Sequence, residues 1–391
     1  MTMQTTSVST FRYIPQSRIQ PRAAAAAAAP TDRFLTGIPE TARLLKPDLA
    51  ADPASQLQEK LRSQAAESPN PVLRSLEPVL NRSQHVQTHP EKVQEVAARY
   101  HGKDLSPSDW TMPVFIPEDS PRTVQFFMVG NALNFKFWGK DSGDKYATDL
   151  GGMSWSGAMG MWASLKRALD EGIPILDADY LSKLSLEEGR YIFRGNQEIP
   201  MLEERVSILN EVGRVLKEKY DGDFNNLVKA SGGYAFHDGQ GIVERLIADF
   251  PSFRDENPAP SGENVRFHKR AQLAVAMLSS RLRGTRLFDV KDLDELTVFA
   301  DYQLPKSLKD LGLITYSPEL EARVQKGELL AAGSQEEMEI RAHTLYASKL
   351  LELALQRQGD RVNALNVDYL LWSHGRGLKD RPHHLTETIA Y

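Results

Sequence analysis

Three long amphipathic stretches dictate most of what this chain can fold into. "MLEERVSILNEVGRVLKEKY" sets Leu202, Val206, Leu209, Val212 and Leu216 at steps of three and four, the apolar face of a helix. "HKRAQLAVAMLSSRLRG" repeats the pattern with Ala271, Ala274, Leu278 and Leu282 and stops at Gly284. "SQEEMEIRAHTLYASKLLELALQRQG" opens on Ser334 and Glu337 at capping-box spacing and stops at Gly359. A shorter stretch, "THPEKVQEVAARYHG", has Thr88 and Glu91 at the same spacing and ends at Gly102. Against these helices stands one short apolar run, Val124 to Val129 ("VQFFMV"), which reads as a buried strand. The expected fold class is mainly α with a small β element.

Composition narrows the function. The chain has 391 residues, 41% hydrophobic and 25% charged, which suits a globule with a real core. No apolar run reaches the ~18 residues of a membrane-spanning helix. Net charge is −5, so no overall basic field points to nucleic acid. The absence of cysteine excludes disulfides, thiolate nucleophiles and Cys-type metal sites. The nine His residues form no HExxH, and no metal is expected.

Residues 1–31 lack Asp and Glu, carry Arg12, Arg18 and Arg22, and include the run Ala23 to Ala29. Two readings stay open: an organelle transit peptide, or a disordered low-complexity tail in a cytoplasmic protein. "SPNP", Ser68 to Pro71, marks a boundary. The expected organisation is a disordered or transit-like segment over 1–45, a linker helix region over 46–71 and one folded domain over 72–391.

Several segments carry chemistry-bearing side chains. In "NALNFKFWG", amides and aromatics follow the expected strand, a set able to stack on a flat heterocycle, although composition alone favours an aromatic corner of the core with Asn131 in a turn. In "VRFHKRAQ", His268, Lys269 and Arg270 crowd a helix start, where cations oppose the dipole. An anionic ligand would offset them, and so would a carboxylate such as Asp255. In "NALNVDYLLWSHG", Asp368 and Trp372 share a helix face, with Asn363 on roughly the same side.

"TVFADYQLPKSL" places one acid, Asp301, in an apolar run. Pro305 suits the first turn of a helix ending at Gly312, and Leu304 before it is biased to extended backbone. Asp301 then lies too far upstream to cap that helix. A desolvated acid is a site candidate. By itself this leaves a structural ion pair and a reacting group equally open.

The ordered segments "NALNFKFW", "RALDEGIP", "MLEERVSILNEVGRVL", "FPSFRD", "FHKRAQ", "TVFADYQLPKSLKDLGLITYS", "EMEIRA" and "VDYLLW" resemble the queuosine salvage proteins, the queuosine 5′-phosphate N-glycosylases. The likeness runs from about Val72 to Tyr391. It implies a single helical domain similar to DNA glycosylases and hydrolysis of a nucleotide N-glycosidic bond without a cofactor. It implies a small-molecule substrate, queuosine 5′-phosphate, with no direct nucleic-acid or membrane partner. The family's catalytic carboxylate falls on Asp301 and a base-contacting position on Phe299. Further pocket positions fall on or beside Asn363, Asp368 and Ser373, and an N-terminal one in "NRSQHV", assigned to His85. Where the family block commonly reads "FADYR" and "LWD", this chain has Gln303 and Ser373. Phe135 and Trp138 join Phe299 as stacking candidates, and Lys269 and Arg270 are the electrostatic candidates for the 5′-phosphate. The rival reading is a non-catalytic nucleotide- or tRNA-binding protein with Asp301 as a structural acid.

Overall fold

In the computed structural model the described residues are 52–139, 144–259 and 262–391. They belong to one unit, Ala51–Tyr391, and the readings made for residues 1–31 and 1–45 lie outside the described residues.

The long amphipathic stretches are helices at Leu202–Lys219, Lys269–Arg281 and Gln335–Arg357. Ser334 caps the last of these by accepting the Glu337 N–H, and Gly359 follows it at φ +97°, the left-handed turn a glycine makes without a Cβ clash. The Gln335–Arg357 helix is buried along most of its length. The Pro53–Glu67, Val93–Tyr100, Gln303–Asp310 and Ala364–Gly377 helices pack against it. Asp52 starts the Pro53–Glu67 helix by accepting from Ala54 and Ser55, and Leu57, Leu61 and Ala65 are buried on its inner face.

Two expectations are corrected. Val124–Val129 is the middle of a helix, Pro121–Ala132, and not a strand. Every residue from Thr123 to Ala132 is buried, so the stretch is apolar all round and no periodicity survives to distinguish the two. Thr88 and Glu91 form no capping box: a 3₁₀ turn, Pro90–Lys92, intervenes before the helix, and the Thr88 hydroxyl bonds His343 Nδ1 at 2.8 Å.

The β component is four two-stranded ladders. Val86–Thr88 pairs antiparallel with Ile314–Tyr316, and Glu256–Pro258 with Asn264–Arg266. Ala147–Leu150 and Met153–Ser156 form a hairpin turned by Gly151 and Gly152, both at positive φ, and Leu329–Leu330 runs parallel to Leu385–Thr386.

The core is divided. One apolar cluster gathers the Pro121–Ala132, Ala158–Asp170, Leu202–Lys219 and Lys269–Arg281 helices, with Phe115, Phe126 and Phe127 around Trp162 at 5.2–5.4 Å between ring centroids. The other surrounds the Gln335–Arg357 helix. Residues 298–300 run between them, Phe299 packing into the first cluster and Val298 and Ala300 into the second. This alternation is the two-residue period of extended chain, and it delivers Asp301 to the seam.

Candidate active site

At that seam lies a cavity lined by Asp301, Asp368, Lys269, Phe299 and Asn134. Its aromatic wall includes Trp110, Phe137, Trp162, Tyr302, Tyr369, Trp372 and Tyr391. Trp162 reaches it because Gly130 leaves room: a Cβ at Gly130 would stand 2.0 Å from the Trp162 ring.

Asp301 does serve as a cap, contrary to the sequence reading. The helix begins at Gln303, two residues before Pro305, and the Asp301 Oδ1 accepts from the N–H groups of Gln303 (2.7 Å) and Leu304 (3.3 Å). Pro305 is then a third-position residue, whose absent N–H is an unpaired donor in any helix, and Leu304 is helical rather than extended. Two helix-start donors thus fix one oxygen of the acid that lines the cavity.

The second acid, Asp368, sits on the Ala364–Gly377 helix and accepts the Phe299 N–H at 2.8 Å. Lys269, the first residue of its helix, donates Nζ to the Asn134 carbonyl at 3.3 Å. Burial pushes the Asp301 carboxyl above its ordinary range, while the Lys269 ammonium and the two helix donors pull it back. Burial pushes Asp368 well above the ordinary range; its Phe299 hydrogen bond opposes this, and the Asp301 charge adds to it. Lys269 is itself pushed down to about 8 by burial, against the pull of Asp301. Two acids and one cation thus share a dry site, and the Lys269 charge favours the ionised form of Asp301 more than that of Asp368.

A buried fastener ties the Asp301 segment and the start of the Lys269 helix to the core. Arg341 is 1% exposed and grips Asp255 with both guanidinium nitrogens, at 2.8 and 2.6 Å. Its Nε donates to the carbonyl of Ala300, the residue before Asp301, at 3.2 Å. Asp255 in turn accepts the Lys269 N–H at 3.2 Å, which meets the expectation that a carboxylate offsets this basic helix start.

Several sequence candidates lie elsewhere. Arg270 is buried outside the cavity, its guanidinium donating to the carbonyls of Ala132 and Ser252. Phe135 is fully buried between Arg205 and Arg270, whose guanidinium carbons stand 4.2 and 5.2 Å from its ring. Trp138 is buried under the Lys136 ammonium at 4.7 Å. Asn363 caps its helix through the Leu365 N–H and donates to Asp294 at 2.8 Å, so it faces away from Asp368. Ser373 is exposed on the outer side of the same helix. His85 lines a different cavity, where its backbone N–H donates to Glu339 at 2.7 Å.

The residues that sequence reasoning missed are instructive. Tyr302 and Tyr369 adjoin the two acids in the chain, Gln303 was met only as a departure from the family block, and Arg376 extends the Asp368–Trp372 step of four by another four. That step was available in the sequence. Lys145 and Tyr391 had no local signal.

A family model described as "Queuosine salvage protein" matches residues 115–391. The chain belongs to the queuosine salvage protein family. Among curated relatives, a Sphaerobacter thermophilus protein named "Queuosine 5′-phosphate N-glycosylase/hydrolase" is 37% identical over 322 residues, 82% of this chain and 97% of that protein. A Mus musculus protein of the same name is 39% identical over 278 residues, 68% of this chain and 80% of its own. One from Schizosaccharomyces pombe is 31% identical over 262 residues, 64% and 74% of the two chains. The family match spans both acids, Lys269 and the fastener; His85 precedes it. Among the described residues no helix is long and apolar enough to cross a membrane.

Proposed function

We propose that this chain hydrolyses the N-glycosidic bond of queuosine 5′-phosphate, releasing queuine and ribose 5-phosphate. The observation that carries the reading is Asp301, held by two backbone donors and set with Lys269 in a cavity walled by aromatic rings. Family membership supports it, since the relatives above bear that activity in their names.

Cleavage breaks the bond from C1′ to the base nitrogen, and the electron pair leaves with the base. Positive charge then develops on C1′ and the ring oxygen. A carboxylate beside them stabilises that charge, or closes on C1′ as a covalent ester, as in retaining glycosidases. Water finally supplies hydroxyl to C1′ and a proton to the base. Queuine is a 7-deaza base with no N7 to protonate, which leaves more of the barrier to the sugar side and so to Asp301. Asp368, whose carboxyl burial raises, presents a hydrogen bond to the base edge, while Phe299, Tyr369 and Trp372 supply the stacking surface. Purified protein given queuosine 5′-phosphate is expected to release free queuine, detected by mass. Intact nucleotide after prolonged incubation would overturn the reading.

Asp368 also makes a stability prediction. Its folded pKa lies well above the ordinary 3.8, so between those values the folded chain keeps a proton that the unfolded chain releases. Its contribution to stability is present below pH 3.8 and is lost as pH rises, at about 1.4 kcal/mol per pH unit. Asp368→Asn keeps an acceptor for the Phe299 N–H and never ionises. Its Tm is expected to exceed the parent's at pH 7 and to converge with it near pH 4. Equal Tm values across that range would show that Asp368 ionises freely.

A further inference from the structure

The side chains assigned to the phosphate on charge alone are otherwise engaged. Arg270 is turned to two carbonyls outside the cavity, and Lys269 balances Asp301. A different group of cations meets at the cavity. Lys145 and Arg376 line it. Lys306 stands on the helix that Asp301 caps, and its Nζ donates to the Leu378 carbonyl at 3.3 Å, just past the end of the helix that carries Arg376. The Arg376 guanidinium lies 4.7 Å over the Trp372 ring, which holds it along the cavity wall. Lys145 is fixed by a β-bridge to Trp138.

We propose that Lys145, Lys306 and Arg376 form the seat of the substrate's phosphate monoester. The assignment rests on the nucleotide N-glycosylase reading of this cavity. None of the three has an ion-pair partner among the described residues, whereas nearby cations do: Lys309 with Glu321, Arg381 with Asp310, Lys136 with Glu387. Like charges gathered without an acid repel one another, and the cost falls when an anion enters. The repulsion is felt here: burial pushes the Lys145 amine down and Arg376 adds to it, and burial with Lys145 does the same to Lys306. The dipole of the Ala364–Gly377 helix accounts for a cation at its last turn, hence for Arg376, but not for the two lysines. A phosphate monoester offers close to two negative charges and three acceptor oxygens, a match for two cations on the cavity wall and a third beside the helix end that carries one of them. Lys306 also feels the Asp301 charge, so the seat adjoins the acid, as a phosphate a few bonds from C1′ requires.

The test uses the full chain and two probes, inorganic phosphate and ribose 5-phosphate, titrated by calorimetry. The parent is expected to bind both. The Lys145→Met/Arg376→Met double variant should bind each at least about tenfold more weakly, and Lys183→Met, at an exposed cation paired with Asp179 outside the cavity, should keep the parent affinity to within a few-fold. The single variants Lys145→Gln and Arg376→Gln give intermediate losses and stand in if the double variant fails to fold. In turnover, the ratio of kcat/KM for the 5′-phosphate over the plain nucleoside should fall in the double variant. Absence of binding by the parent, or binding by the double variant at the parent's affinity, overturns the seat. So does an equal fall for both substrates. A parent that binds ribose 5-phosphate through these residues yet releases no queuine would sink the hydrolase reading and leave the seat standing.

Discussion

Asp301→Asn is expected to lower kcat for queuine release by about 10³-fold or more, the scale at which loss of one transition-state charge contact is felt. The fold should survive. The asparagine oxygen can still accept from Gln303 and Leu304, so the helix start stays capped. Burial raises the Asp301 carboxyl, so a neutral amide there costs no more than the acid did. Activity and stability therefore part company: Lys269 loses the acid charge that favours its ammonium, so Tm is expected to fall by a few degrees at most while turnover collapses. Retention of turnover in a folded Asp301→Asn protein would reduce Asp301 to a structural cap.

The largest loss of stability is expected from Arg341→Met. Methionine fills the space but leaves Asp255 without its bidentate partner, Glu337 without the guanidinium 3.7 Å away, and the Ala300 carbonyl without its donor. Orphaning buried charge in this way costs about 3–5 kcal/mol. The loss has a pH signature. Arg341 and the other donors hold the Asp255 carboxyl below its ordinary 3.8 although burial opposes them, so this group stabilises the fold above that value and ceases to as pH falls through its depressed pKa. The gap between parent and variant should be widest near neutrality and narrow toward pH 3. Denaturant unfolding across that range measures it. Adding Asp255→Leu should recover part of the loss, since removing both charges costs less than stranding one. An unchanged midpoint in Arg341→Met would show that the fastener holds nothing.

Helices with one apolar face were legible in the sequence because their periodicity survives, as at Leu202–Lys219 and Gln335–Arg357. Pro121–Ala132 was not, because burial on every side erased its period. The site was half legible in the same sense. Asp301, Phe299, Asp368 and Lys269 were singled out and do meet at one cavity. Phe135, Trp138 and Arg270 were singled out by the same chemistry, yet Phe135 packs against Arg270, Arg270 turns to backbone carbonyls and Trp138 lies under the Lys136 ammonium. Residue type cannot separate an aromatic ring facing a ligand from one facing a guanidinium.

The sequence by itself determined the family and the helices that keep one apolar face, and it singled out Asp301. Periodicity, caps and ordered motifs are local, and each is complete within a few turns of chain. Only the tertiary structure decided that Asp301 caps the Gln303–Asp310 helix, that burial raises the Asp368 carboxyl beside it, and that Lys145 and Arg376 line the same cavity. Protonation and charge pairing depend on what desolvates a group and which charge lies across the cavity, and those neighbours come from segments up to about two hundred residues apart, such as Lys145 and Arg376.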